Sequence, residues 1–399
     1  MIPIYKALID TDEVDAATNA LRQGWLGMGS AVADFEQAVE KAIQAGARRA
    51  VAVSTGHAAL HLGLLVADVG PGDEVIVPAL THLADVQAVR AVGAEPVICD
   101  IDDETLCIDP AEAARLIGPR TRAVIAMDYG PHLCDYGAID ALAREHGLRV
   151  VHDAAHSFGS LCDEEPLGSF SDLCVFSFDA VKALTCIDGG ILVVQSEEDM
   201  ARVRGLRVLG SSFPAERAYE QQRIWHYDAK ECGFRYHLSN VHAAVGLAQL
   251  AKLDYIRETR QAAIMRYATR LAGVDGLRLP VADVRGLNPF LYYVRVLDGA
   301  RDEFRQYLAE RGVETGVHWT PVHQLELLRT CRRGRLDVID RVAEEIVSLP
   351  LHSGMTEGVV DKVCDAVLSY FVTGPAPTPS AGTPDRTHVV PRREAAPIP

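Results

Sequence analysis

From about residue 31 to residue 250 the chain alternates between two hydrophobic patterns. Short unbroken apolar runs read as strands buried on both faces, and apolar positions three or four apart read as helices packed by one face. Phe35, Val39 and Ile43 share one helical face. AVAV (50–53) then predicts a strand and HAALHLGLLVA (57–67) a helix. GPGDEVIVP reads as a turn and a strand ending at Pro78, and AEPVICDI (94–101), RAVIAMD (122–128) and LRVVHDA (148–154) as further strands. DPAEAARLI and YGAIDALAREHG supply helices between them. Strands at this spacing with helical crossovers predict an α/β fold built on a mostly parallel sheet. Ligands of such sheets sit beyond the carboxyl ends of the strands, so those ends are the first places to seek chemistry.

After about residue 250 the texture changes. A long helical pattern, AKLDYIRETRQAAIMRYATRLAG, leads to a strand (FLYYVRVL), a helix (DEFRQYLAERG) and another strand, VETGVHW. The expected organisation is a large α/β domain over 1–249 with an amino-terminal arm at 1–12, and a smaller α+β domain over 250–372. A tail at 373–399, rich in Pro, Thr and Ala without apolar periodicity, is expected to be disordered.

Composition narrows the partners. With 48% hydrophobic and 24% charged residues among 399, the chain has ample core material for a soluble protein. Its formal charge of −16 argues against nucleic acid or an anionic membrane as a partner, while leaving room for a local basic pocket. The opening MIPIYKALIDTDEVD lacks the pattern of a secretory signal. The longest stretch free of Asp, Glu, Lys and Arg, Ala50 to Ala67, carries Ser54, Thr55, His57 and His61 and makes a poor membrane span. A cytoplasmic location is therefore expected. Nine scattered cysteines without a C-x-x-C pair or zinc-finger spacing predict reduced thiols and no metal site.

The chain has six lysines, and five lie beside carboxylates or at the amino terminus. Lys182 instead stands between two apolar runs, LCVFSFDAV and ALTCIDGGILVV, the second entered through a Gly pair. Such a lysine reads either as a partly desolvated, nucleophilic amine or as one snorkelling from a loop at the sheet edge, and local sequence leaves both open. Asp153, in VVHDAAHS, closes an apolar run, where it serves either as a buried acid or as a strand-end cap. His156 follows three residues later and reads as a ligand contact or as a satisfied loop histidine. Thr55-Gly56-His57-Ala58 stands between a strand and a helix, which points unpaired N–H groups at any anion there. Many α/β proteins have such a junction. Ser177, five residues before Lys182, offers a hydroxyl to the same anion or to a neighbouring carbonyl. Together these are the parts that pyridoxal 5'-phosphate requires. They are a lysine to form an imine, an acid to keep the pyridine nitrogen protonated, and N–H and O–H groups for the phosphate.

They also occur in a familiar order. GWLGMGSAVADFEQAVE (24–40), VAVSTGHAALHLGL, GPGDEVIVPALTHLADVQAV, VVHDAAHSFGS, DLCVFSFDAVKALTCIDGG, FRYHLSNVHAAVGLAQLAKLD and ETGVHW with SLPLH are similar to successive motifs of one family. The chain resembles, from about Pro3 to Phe371, the DegT/StrS family of PLP-dependent sugar aminotransferases, which have the aspartate aminotransferase fold (fold type I). The resemblance implies that Lys182 is the Schiff-base lysine and that Asp153 pairs the pyridine nitrogen. It implies that Gly56, His57, Ala58 and Ser177 surround the phosphate and that His82 stacks on the ring; His156, read from its place three residues after Asp153, is the candidate partner of the phenolic oxygen. It also implies that Arg235 reaches the phosphate from the partner subunit of a homodimer. The chain departs from the family pattern at His57, where a hydroxyl residue is common, and at His82, more often Trp or Phe. Arg235 stands where Asn is usual and Asp179 where His is frequent.

The implied reaction moves an amino group, from glutamate as expected donor, to a keto-deoxysugar, expected to be nucleotide-linked and with a keto-cyclitol as alternative. Three other readings compete. A sugar dehydratase of the same family has histidine in place of Lys182, and a non-catalytic regulator with this fold would have lost Lys182 or Asp153. A nicotinamide-dependent Rossmann enzyme would need G-x-G-x-x-G where STGHAAL stands.

Overall fold

A computed structural model of the chain describes residues 1–212, 215–222, 225–280 and 283–373. Two helices open it, α1 (Thr11–Gln23) and α2 (Ser30–Ala42). α1 begins at a capping box in which Asp10 accepts the Asp12 N–H and Glu13 accepts the Asp10 N–H. Strands and helices then alternate: β1 (Arg49–Val53), α3 (Gly56–Val66), β2 (Glu74–Pro78), α4 (Leu83–Ala91), β3 (Glu95–Cys99), α5 (Pro110–Leu116), β4 (Thr121–Met127), α6 (Tyr136–His146) and β5 (Arg149–Asp153). A hairpin of two-residue strands, β6 (Leu161–Cys162) and β7 (Glu165–Pro166), precedes β8 (Leu173–Ser177) and β9 (Gly190–Val194). Helices α7 (Glu197–Leu206), α8 (Ala215–Tyr219), α9 (Asn240–Leu250) and α10 (Leu253–Arg270) follow. The chain ends through β10 (Leu277–Arg278), β11 (Tyr292–Val296), α11 (Arg301–Glu310), α12 (Asp337–Glu345), β12 (Ile346–Leu349) and α13 (Glu357–Thr373).

The central sheet has seven strands in the order β1-β9-β8-β5-β4-β2-β3. The pairs from β8 through β3 are parallel, and β9 runs antiparallel to both of its neighbours. Helices cover both faces, which is why β2, β8 and β9 are apolar runs without alternation, every residue of them buried. The parallel registers align Met127 with Asp153 and Asp153 with Val175. The carboxyl ends of β4, β5 and β8 thus open onto one place.

The second sheet, β10-β11-β12, is antiparallel and has its own core with α10, α11 and α13, including Tyr267, Val294, Phe304, Val347 and Val367. The first core does not stop at residue 250. Phe290, Val322, Leu328 and Ile339 pack into it from beyond that point. The amino-terminal arm lies along the second unit, where Ile2 donates to Gly312 O and accepts from Glu314 N, and α1 starts at Thr11.

One expected strand is not formed. VETGVHW makes only isolated bridges, Val313 to Ile2 and Gly316 to Ser348, and the third place in the small sheet belongs to β12, which ends on the Ser348 and Leu349 that open SLPLH. The cause is a tight fold at Gly316, where a Cβ would stand 2.4 Å from the His318 ring and 2.8 Å from Ile4. The chain there turns His318 and Trp319 toward the central sheet instead of extending. Of the tail expected at 373–399, Thr373 ends α13, and 374–399 lie outside the described residues.

Candidate active site

A cavity of about 340 Å³ opens where the parallel strands end, and Met127, Asp153 and Ser177 reach it from the tips of β4, β5 and β8. Lys182 lies in the loop between β8 and β9. That loop is pinched at its base, where Phe178 N–H donates to Gly189 O and Cys186 N–H to Phe178 O, each at 2.9 Å. Phe178 anchors it by edge contacts with Phe35 and Phe158. Inside the loop Lys182 N–H donates to Asp179 O, and Asp179 caps the Val181 N–H with its side chain. The lysine is thereby turned inward. Its Nζ stands 4.3 Å from the centre of the Phe290 ring. Burial lowers the ammonium's pKa against the opposing pull of Asp153, Asp179 and Asp85, which favours a neutral, nucleophilic amine.

The Gly pair has a structural reason. A Cβ on Gly190 would stand 2.3 Å from Thr55 O, so β9 can lie against the turn after β1 only with glycine there. Gly56 is held as closely on its other side, where a Cβ would meet Ser177 Cβ at 2.8 Å. The two glycines bring the amino end of α3 onto the strand that leads to Lys182. Thr55 is the N-cap of α3, and its Oγ1 accepts the Ala58 N–H at 2.9 Å. Ala58 is thus buried outside the cavity lining with its N–H already used, so the N–H groups open to an anion are those of Gly56 and His57. Ser177 completes this corner. The His57 side chain stands at the rim, exposed overall, and its partial desolvation lowers its pKa.

Asp153 forms the floor. It is 3% exposed, and its Oδ1 accepts one N–H, that of Ala155, at 3.0 Å. Burial raises its pKa and Lys182 opposes the rise. His156 is buried beside it with Nδ1 unpartnered, its pKa pushed well down by burial. His82 is the N-cap of α4, where its Nδ1 accepts the Ala84 N–H, and its ring meets Trp319 edge-on at 5.4 Å. Arg235 stands apart. It is exposed, bridges to Val208, and does not line the cavity of its own chain.

The walls hold residues that the sequence did not mark. Tyr5 from the arm stacks on Phe290 at 4.8 Å, and its hydroxyl pairs with His318 Nε2 at 3.0 Å. His156 lies between Phe290 and Trp319, at 4.6 and 5.3 Å. Tyr129 donates to His318 O. These side chains come from segments scattered along the chain between Tyr5 and Trp319, and no local spacing announces such a gathering. Phe290 and Trp319 do carry one faint signal, aromatic residues in NPF and VHW at the edges of strand-like runs.

The donor set fits pyridoxal 5'-phosphate. A desolvated amine, a buried carboxylate, an unpartnered imidazole nitrogen and an open helix end beside a serine share one cavity. No cluster of His, Cys, Asp and Glu among the described residues has the make-up of a metal site.

Comparison with known proteins points to one family. The sequence model of the DegT/DnrJ/EryC1/StrS aminotransferase family matches residues 7–368. The spore coat polysaccharide biosynthesis protein SpsC of Bacillus subtilis is 34% identical over 92% of this chain and 96% of its own. The crystal structure of the aminotransferase TlmJ from Streptoalloteichus hindustanus superposes with a TM-score of 0.85 at 33% identity, covering 92% of this chain and 98% of that one. The PLP form of the putative sugar aminotransferase Spr1654 from Streptococcus pneumoniae gives 0.85 at 26% identity, over 93% and 98%.

Proposed function

The chain belongs to the DegT/DnrJ/EryC1/StrS aminotransferase family and is a PLP-dependent aminotransferase, and from that premise we propose the finer reading that it moves the amino group of glutamate onto a nucleotide-linked keto-deoxysugar, with Lys182 as the lysine that carries the cofactor. The observation that carries the lysine's role is its position. It is turned into the cavity over Phe290, with Asp153 across from it and the open end of α3 beside it.

When bound, pyridoxal 5'-phosphate supplies an aldehyde that bonds amines and a ring that draws electrons from the neighbouring carbon. The protein's part follows from the side chains. The Gly56 and His57 N–H groups and Ser177 Oγ hold the phosphate at the positive end of α3. Asp153 keeps a proton on the ring nitrogen by placing a buried negative charge against it. Lys182 Nζ, kept partly neutral by burial, accepts the proton from the donor's Cα and later delivers one to the acceptor carbon. Phe290, Tyr5 and Trp319 exclude water, and His82 covers the ring face. The rim residues His57, His82 and Val181 are exposed, which leaves a way out for the bulk of a nucleotide-linked acceptor. The sugar assignment is supported by the spore-coat polysaccharide relative and by the sugar aminotransferase neighbour.

A homodimer belongs to this reading. A groove lined by Met28, Val208, Leu209, Ala218, Tyr227 and His237 lies on the face that carries Arg235, and Leu209 and Tyr227 are more than half exposed there. A second copy covering that face would carry Arg235 to the partner's phosphate site.

The test is a half-reaction. Purified enzyme given glutamate alone should convert its visible cofactor band to the amine form and release one equivalent of 2-oxoglutarate. Addition of a keto-deoxysugar nucleotide should restore the band and yield the amino sugar. An unchanged band with glutamate would sink the donor assignment. Restoration by a keto-cyclitol and by no sugar nucleotide would move the acceptor to that class.

A further inference from the structure

Two carboxylates meet under the cavity floor, away from water. Asp85, in the first turn of α4, is 0% exposed, and Asp153 lies next to it at the end of β5, where its register partner Met127 touches the same Thr81 hydroxyl that bonds Asp85. Thr81 donates its hydroxyl to Asp85 Oδ2. Asp85 Oδ1 is equally buried and has no partner if the group is written as a carboxylate. The charges around the pair are few. Lys182 comes from the β8–β9 loop, while burial drives His82, His156 and His318 toward the neutral form. Two buried anions would then face each other against a single ammonium, an arrangement that like-charge repulsion and lost hydration both oppose. A single proton between them removes the repulsion and gives Oδ1 its missing hydrogen bond.

We propose that Asp85 and Asp153 share one proton, held on Asp85 Oδ1 and donated to Asp153, so that Asp85 is a positioning residue that keeps Asp153 ionised and aimed at the cofactor's ring nitrogen. The second half of this statement rests on the role given to Asp153 above; the first does not. The proton belongs on Asp85 because Asp153 already accepts the Ala155 N–H and feels Lys182 more strongly. Complete burial and the neighbouring Asp153 both raise the pKa of Asp85. Its place at the amino end of α4 favours ionisation, but a helix end is a weaker influence than a like charge in contact.

Infrared difference spectroscopy of the holoenzyme reads the proton directly. Wild type minus Asp85→Asn should show the carbonyl band of a protonated carboxylic acid, shifted in heavy water, and Asp128→Asn serves as the control for another buried acid. Asp85→Asn should bind cofactor about as well as wild type, because its amide donates to Asp153 and accepts from Thr81. Asp85→Ala should lose about 10- to 100-fold in cofactor affinity, the loss expected for a hydrogen bond to a charged group. Asp85→Ser covers the case in which the alanine variant does not fold. Absence of the band, its survival in Asp85→Asn with loss in Asp153→Asn, or an asparagine variant as weak as the alanine one would each overturn the shared proton. A band that behaves as expected, with full activity in Asp153→Asn, would keep the proton on Asp85 and remove only the role of Asp153 at the ring.

Discussion

At the scale of residues, function here comes from side chains denied water. Lys182 was separable from the other five lysines in the sequence because both of its flanks are apolar, and the same desolvation lowers its pKa in the structure. Lys182→Arg keeps a cation but cannot bond the aldehyde carbon, so kcat should fall by about 10³-fold or more in a steady-state assay, the upper range for loss of an acid–base group. Asp153→Asn should reduce kcat by about 10²-fold or more while acceptor KM changes little. Asp85 escaped the sequence reading because a carboxylate in a first helical turn has an ordinary explanation, and only the fold brings it against Asp153. Asp128 gives a pH test outside the site. Burial raises its carboxyl to about 6, despite donors from Ser157, Tyr136 and the Cys134 N–H. A carboxyl raised in the native state holds its proton longer there than in the unfolded chain. Its contribution to stability therefore falls as pH rises from about 4 to about 6, by about 3 kcal/mol in all. That decline, followed by denaturant unfolding across the window, should be missing in Asp128→Asn.

At the scale of elements, the strands of the large sheet were legible because burial on both faces turns them into plain apolar runs, and the amphipathic helices between them because they bury one face, whereas α3 is buried nearly all round. VETGVHW was not legible. Its alternation is strand-like, but the fold at Gly316 spends the segment on placing His318 and Trp319. The Gly pair and the α3 junction were visible as letters, yet their purpose required contact distances. Gly190→Ala would drive a methyl group into Thr55 O and should cost about 1–3 kcal/mol or more, read as a fall in the unfolding midpoint. Glu36 ties α2 to β1, to the residue that caps α7 and to α8 by accepting from Ala52 N, Arg207 Nη1 and Tyr219 Oη. Glu36→Ala strands Arg207 as a fully buried cation and should destabilise the protein by about 3–5 kcal/mol. None of Glu36, Arg207 and Tyr219 lines the cavity, so the fraction that remains folded should keep its cofactor spectrum.

At the scale of the whole molecule, the site gathers its walls from the arm, the central sheet and the segments around Phe290 and Trp319, and the proposed dimer would complete it. The role proposed for Arg235 rests on the family resemblance, since nothing local to FRYHLS points across an interface. Arg235→Ala should weaken cofactor binding without changing subunit association. Mixing Lys182→Ala with Arg235→Ala chains should restore one intact site per heterodimer, and about a quarter of wild-type activity once the subunits exchange freely by chance. A monomer by light scattering would contradict the shared site. No helix among the described residues is long and apolar enough to cross a membrane. The claim on which all of this depends is that Lys182 bonds the cofactor. Reduction of the whole holoenzyme with borohydride fixes that bond, and peptide mass mapping then reads its position. The account predicts the reduced cofactor mass on the peptide containing Lys182 and on no other. Its appearance on any of the other five lysines, or on none, would contradict it.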